Sequence, residues 1–243
     1  MIRADRLRRA LWRVFGQAPE SSFEVAGCAH DTKSRSRLLE VDKWSVSKTV
    51  LNLVSVVGVH PYPLDELLLM VAAFSYHRPE ITIDIGTHIG KSARIWLELA
   101  RLCQVPTAIH TIDLLDPDHP EYPGTEVGRL IRGTSVLQHF GDGYSTALEL
   151  IRENPNARFL IFLDSDHSYE NVRRELELAK HVKDGCLLVH DTFYQPSSTY
   201  NHGPYLAVCD YIDGMSIRQV IHLNAGLPGM SYIAVNRQPI EEI

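Results

Sequence analysis

The chain has 243 residues, 44% hydrophobic and 22% charged, with a formal net charge of −6 and a pI near 6.0. A chain of that length folds without disulfide or metal staples, and its ordinary composition excludes collagen-like and wholly disordered classes. The acidic balance argues against a general nucleic-acid binder, and four scattered cysteines, Cys28, Cys103, Cys186 and Cys209, argue for a reducing, cytoplasmic setting.

Residues 1–16 carry Arg3, Arg6, Arg8, Arg9 and Arg13 against one acid, Asp5. Ala4, Leu7, Leu11, Val14 and Phe15 recur at helical spacing, which predicts a basic amphipathic helix. It lacks the apolar core of a secretory signal. It could pack on the body or form an oligomer, the simplest reading, or lie on an anionic membrane surface or mimic a transit peptide. Residues 1–65 read as a mainly helical extension, with a polar loop near Asp31–Arg37 and an apolar segment Val50–Val59. Residues 66–243 read as the main domain. No apolar run approaches the roughly 18 residues of a membrane span; the longest is Leu67–Phe74.

After the Pro61 and Pro63 pair, Leu64–Tyr76 reads as a helix. Strand and helix then alternate: strand Ile81–Ile85, helix Lys91–Leu102, strand Ala108–Asp113, strand Val136–Phe140, helix Ser145–Glu153 and strand Phe159–Leu163. Helix Tyr169–Val182, strand Cys186–Val189 and helix Tyr205–Ile212 follow, and runs Gln219–Leu223 and Ser231–Val235 close the chain as a hairpin. Such alternation predicts an α/β fold, a doubly wound and mostly parallel sheet with one antiparallel strand.

Ligands bind such sheets at the C-terminal strand ends. Acids mark five of those ends: Asp84, Asp113, Asp142, Asp164 and Asp191. Any one could merely cap the next helix. The loop Asp84-Ile85-Gly86-Thr87-His88-Ile89-Gly90-Lys91-Ser92 is one residue short of a phosphate-binding P-loop, and His88 occupies the middle glycine of a dinucleotide fingerprint. S-adenosylmethionine makes lighter demands, since it carries no phosphate. Gly86, Thr87, Gly90 and Ser92 would let it approach the backbone. Asp84, or a water it orders, would meet the ammonium group, and Asp113 the two ribose hydroxyls. Asp142 and the neighbourhood of Leu114 would take the adenine.

The Asp84-x-Gly86-x-x-x-Gly90-x-Ser92 pattern resembles the first motif of class I S-adenosylmethionine-dependent methyltransferases. Asp164-Ser165-Asp166-His167-Ser168-Tyr169-Glu170, followed by Gly185 and His190-Asp191, resembles the branch of macrocin- and rhamnosyl-type O-methyltransferases and cephalosporin hydroxylases. The resemblance covers about residues 78–236. It implies a Rossmann-like seven-stranded sheet whose last strand is antiparallel. It also implies a divalent cation, Mg²⁺ or another, on Asp164, His190 and Asp191, with Asp166 as the alternative to Asp164. His190 stands where Glu or Asp is common, which weakens a preference for Mg²⁺.

The implied chemistry is methyl transfer to a hydroxyl of a small sugar, polyketide or phenolic acceptor. Proton removal would fall to His167 or His190 as base, or to a cation at Asp164 and Asp191. Crowded acids favour the cation, because they repel unless something positive lies between them. His88 would shape the glycine loop, and His110 would belong to the sheet. The loops 115–132 and 194–204, the latter with Tyr200, Asn201 and His202, would select the acceptor. A homo-oligomer is expected. A P-loop-like nucleotide hydrolase and a non-catalytic ligand-binding protein of the same fold are the alternatives.

Overall fold

Two short apolar runs make the centre of the molecule. Ile81–Ile85 (β1) and Arg158–Leu163 (β4) lie side by side and parallel, in the register Ile81↔Phe159 to Ile85↔Leu163. All of β1 is buried, as a strand covered on both faces must be. In this computed structural model the described residues are 42–57, 62–114, 126–194, 201–214, 220–223 and 226–236. All belong to one compact unit, Lys33–Ile243. The basic segment 1–16 and much of both expected acceptor loops (115–125 and 195–200) lie outside them.

Around that centre stand Ala108–Asp113 (β2), Leu137–Phe140 (β3), Asp184–His190 (β5), Val220–Leu223 (β6) and Met230–Asn236 (β7). The sheet has seven strands in the order β3-β2-β1-β4-β5-β7-β6. The closing hairpin inserts β7 between β5 and β6, antiparallel to both. The expected doubly wound sheet with an antiparallel last strand is therefore present.

Alternating side chains feed two cores. Ile83, Ile85 and Ile161 face Gly143–Glu153 (α4), Tyr169–Leu176 (α5) and His202–Asp213 (α6) through Ala147, Ile151, Leu176 and Val208. Leu160, Phe162 and Leu188 face the other way, onto Lys43–Val57 (α1), Leu64–His77 (α2) and Lys91–Leu102 (α3). There Trp96, Phe74, Met70 and Leu53 are fully buried.

Two elements differ from expectation. The apolar segment noted from Val50 lies in a helix that begins at Lys43, where the Asp42 carboxylate accepts from the Trp44 N–H and the Ser45 hydroxyl and so caps it. Val46, Val50 and Leu53 then recur on one face and pack into the core. The helix anticipated over Tyr169–Val182 tightens after Leu176 into a 3-10 turn, Glu177–Lys180. The tighter turn lets the consecutive Leu178 and Ala179 both reach the core. No helix among the described residues is long and apolar enough to cross a membrane.

Gly185 shows how closely β4 and β5 approach. It has φ +143°, and a Cβ there would lie 1.9 Å from the Phe159 carbonyl oxygen. Gly185→Ala should cost about 1–3 kcal/mol from the backbone conformation alone. Displacing β4 adds to that. Each kilocalorie lowers the melting temperature of a chain this size by about 2–4 °C. A variant melting with the wild type in a thermal scan would contradict the close approach.

Candidate active site

The glycine loop leaves β1 over a buried carboxylate. Asp84 is fully buried and accepts from Ser92 Oγ at 2.9 Å, Thr111 Oγ1 at 2.9 Å and Trp96 Nε1 at 3.3 Å. Thr87, also buried, shares a 2.7 Å hydroxyl contact with Thr111. In this conformation Asp84, Thr87 and Ser92 therefore support the loop from beneath, and their side chains do not face the cleft. The reason is polar pairing, since a buried carboxylate without donors would be far costlier than one with three.

The loop's upper side is backbone. Gly86 has φ +103°, and a Cβ on it would lie 2.0 Å from the Asp164 carbonyl oxygen, so only glycine lets the β1 and β4 ends meet there. His88 has φ 47° and donates its N–H to Asp113 Oδ2 at 2.8 Å. Leu114 N–H donates to Asp113 Oδ1 at 2.8 Å, while the Leu114 side chain is exposed. Asp113 is thus aimed and half-buried beside the glycine loop. Asp142 caps α4 by accepting from Ser145 N–H and is gripped by both terminal nitrogens of Arg174 at 2.7 and 2.9 Å. The capping alternative describes Asp142 as it stands. His110 is a sheet residue, as expected, with its ring stacked on that of His139.

Over β4 and β5 the chain gathers a charged cluster. His190 Nδ1 lies 3.0 Å from Asp164 Oδ1 and 3.2 Å from Asp191 Oδ2, and His190 Nε2 lies 3.0 Å from Glu66 Oε2. His167 Nε2 lies 2.7 Å from Asp191 Oδ2. Tyr62 donates its hydroxyl to Asp164 Oδ2 at 3.0 Å and sets its ring edge-on to His190. The structure brings Asp164, His167, His190 and Asp191 together. Asp166 stays apart, accepting from the Ser168 N–H and hydroxyl in a local turn.

Burial works against the charged form of both histidines, but the facing carboxylates outweigh it. His167 rises to about 9 through Asp164 and Asp191, and His190 rises well above its ordinary value through Asp164, Asp191 and Glu66. The same contacts hold Asp164 and Asp191 below the usual carboxylate range, although burial pushes each upward. Two imidazolium groups therefore already lie between the crowded acids. Repulsion among those acids alone no longer requires a metal.

A cation nevertheless fits the donor set. Nδ1 of His190 and one oxygen each of Asp164 and Asp191 all lie within 4.8 Å of one another. Two of these separations, 3.0 and 3.2 Å, match the roughly 3 Å edge of an octahedron built on bonds of about 2.1 Å.

Tyr62 and Glu66 were not anticipated from the sequence. Both come from the chain before β1, and Glu66 lies in the first turn of α2, where an acid is favourable whatever else it does. Asn201 also differs from expectation. It is buried, donating to Pro228 O at 2.8 Å and reaching Asp191 Oδ1 at 3.4 Å, so it braces the cluster and does not face an acceptor.

Asp84 offers a direct test. Burial pushes its carboxyl up to about 7 against an ordinary 3.8. The folded protein then holds a proton that the unfolded chain releases, so the Asp84 contribution to stability falls as pH rises from about 4 to about 7. Asp84→Asn removes this dependence. Its stability relative to wild type, from urea titrations at several pH values, should improve across that window and level off above it. A constant difference would mean that Asp84 is ionised throughout.

Residues 83–192 match the family Methyltransf_24, a methyltransferase domain. No curated protein matches the sequence. Among solved structures the chain is similar to apo CalS11, a TDP-rhamnose 3′-O-methyltransferase of calicheamicin biosynthesis. That match has a TM-score of 0.51 at 16% identity and covers 80% of this chain and 96% of that one. The O-methyltransferase from Bacillus cereus, in complex with SAH, is similar with a TM-score of 0.51 at 15% identity, covering 82% of this chain and 94% of that one. At such identities the likeness speaks to the fold. The matched segment runs from β1 through β5 of a Rossmann-like sheet, so the chain is similar to the class I methyltransferases in this domain and in its fold.

Proposed function

We propose that the protein transfers a methyl group from S-adenosylmethionine to a hydroxyl of a small polyhydroxylated or phenolic acceptor, assisted by a divalent cation. The observation that carries this reading is the division of one cleft. Asp113 and the bare backbone of Gly86 stand over β2 and β1, and the imidazole–carboxylate cluster stands over β4 and β5. Strands lie about 4.8 Å apart, so Asp164 falls roughly 10 Å from Asp113, a nucleoside-scale separation.

S-adenosylmethionine when bound supplies an electrophilic sulfonium methyl group. The chain's part is to hold donor and acceptor in line, which is worth up to about 7–11 kcal/mol in favourable cases. Asp113 would accept from the two ribose hydroxyls, Gly86 would let the donor lie close to the backbone, and Leu114 would offer an apolar wall. Asp142 would offer an acceptor to the adenine amine only on the side that Arg174 leaves open. Asp84, Thr87, Gly90 and Ser92 would keep the loop in place.

The acceptor hydroxyl must lose its proton as the methyl group arrives. Both histidines are held cationic in the free protein, which makes each a poor base near neutral pH. This favours the cation, whose chemistry is to lower the hydroxyl's pKa. Asp164, Asp191 and His190 Nδ1 would hold it. His167, beside Asp191, could receive the proton only once neutral, a form that added positive charge in the cluster would favour.

The nucleotide-hydrolase alternative is disfavoured by Ser92, whose hydroxyl is committed to Asp84 inside the core and unavailable to a nucleotide-bound Mg²⁺. In B. cereus the similar O-methyltransferase was captured with SAH, the product form of this donor.

Calorimetry with S-adenosylmethionine and with ATP tests the donor, and only the former should bind. Asp113→Ala should weaken that binding roughly 10- to 150-fold, the worth of charged hydrogen bonds at about 1.5–3 kcal/mol. Unchanged affinity would remove Asp113 from the donor site.

Asp164→Asn and Asp191→Asn test the cation. Each should lower turnover by about 10²-fold or more while leaving donor affinity nearly unchanged. A chelator should reproduce the loss, and a divalent ion should reverse it. Full activity in metal-stripped protein would return proton removal to a histidine.

A further inference from the structure

Glu66 is the buried group that the reaction scheme does not yet use. It is 2% exposed, and its two oxygens do different things. Oε2 lies 3.0 Å from His190 Nε2, and Oε1 accepts from the Gly229 N–H at 2.8 Å. It therefore links α2, the end of β5 and the turn that leads into β7. Four residues earlier Tyr62 donates to Asp164 and packs edge-on against the His190 ring. Neither residue lies in the matched domain, 83–192.

The geometry points to Glu66 as the positioning residue of the cation site. By accepting the Nε2–H of His190 it fixes the tautomer in which Nδ1, facing Asp164 and Asp191, is the ligand atom. This inference rests on the cation reading of that cluster. A neutral imidazole has one donor and one acceptor nitrogen, and whichever partner one nitrogen meets decides the role of the other. A carboxylate can only accept, so Glu66 compels Nε2 to carry the hydrogen. Nδ1, which in this structure meets the Asp164 and Asp191 oxygens, is then the nitrogen that gives up its hydrogen when a cation binds, on the side where those two carboxylates converge.

The consequence concerns metal class. A set of one imidazole and two carboxylates, with the imidazole backed by a third carboxylate, suits a borderline ion such as Co²⁺ or Zn²⁺, and a transition ion such as Mn²⁺, better than Mg²⁺, which prefers oxygen and retained water. Outer carboxylates of this kind raise the basicity of the ligating histidine, and their loss typically costs 10–100-fold in metal affinity.

Glu66→Gln tests this with little change of shape. The amide oxygen can still accept from Gly229 N–H. Its NH₂ must then donate to His190 Nε2, which forces the hydrogen onto Nδ1 and closes the ligand position. Binding of Mn²⁺, Zn²⁺ and Mg²⁺ is measured by calorimetry on full-length wild type and variant, with S-adenosylmethionine affinity measured in parallel. Wild type should bind Mn²⁺ and Zn²⁺ more tightly than Mg²⁺. The variant should bind them about 10–100-fold more weakly, with donor affinity kept.

Equal Mn²⁺ affinity in the two proteins would overturn the role of Glu66 alone. A wild type that binds S-adenosylmethionine but no divalent ion would overturn the cation reading as well. Should the variant fail to fold, ¹⁵N spectra of histidine-labelled wild type with Zn²⁺ decide the matter. The His190 hydrogen on Nε2 and the metal on Nδ1 is the expected result, and the reverse assignment refutes the inference.

Discussion

Five ionisable groups, Glu66, Asp164, His167, His190 and Asp191, share a volume from which water is largely excluded, and much of the surrounding architecture serves that arrangement. Losing one partner of a buried ion pair costs about 3–5 kcal/mol, because the other is left uncompensated. Position must therefore be controlled tightly. The control comes from the sheet: β1, β4 and β5 are in parallel register, with Ile85 opposite Leu163 and Leu163 opposite Val189. Asp164 and His190 consequently leave the sheet at the same level, on neighbouring strands. A slip of one residue would turn His190 toward the opposite core.

Beneath the glycine loop lies an acid handled in the opposite way. Asp84 lies on the neighbouring strand with only hydroxyls and an indole N–H around it, so burial wins and its carboxyl moves up. Asp164 is largely enclosed as well, but two imidazoles outweigh the loss of water and keep it charged. Residue type does not distinguish the two carboxylates. Neighbours do, and they divide the cleft into a neutral support under the glycine loop and a charged cluster over β4 and β5.

That division explains what could be read from the sequence. The strand runs are continuous and apolar, so their ends, and the acids at them, could be located from residue order alone. Asp113, Asp164, His190 and Asp191 are local consequences of where a strand stops. Which way a side chain turns after the strand is not local. Ser92 occupies the place of a P-loop serine but turns inward to Asp84, and Asp142 meets Arg174 from a helix 32 positions later. The Glu66–His190 contact spans 124 positions. Nothing in the α2 pattern separates Glu66 from an ordinary first-turn acid, because its partner exists only once α2 lies against the end of β5.

The imidazole at position 190 and the carboxylate at position 66 are best understood together. In the methyltransferases this chain resembles, a Glu or Asp is common at the position of His190. Exchanging that acid for a histidine removes one negative charge from a site meant to attract a cation. Left there, the change would weaken the field holding a divalent ion and free the imidazole to choose either tautomer. On the cation reading, Glu66 would offset both effects from 3.0 Å away, supplying a third carboxylate and holding a hydrogen on Nε2. It does so without becoming a ligand atom, so the charge of the site is conserved while one donor changes from oxygen to nitrogen. The second carboxylate oxygen, on Gly229 N–H, ties this correction to the turn before β7. The chemistry of position 190 is thus set in part by a helix outside the matched domain that reaches the end of β5.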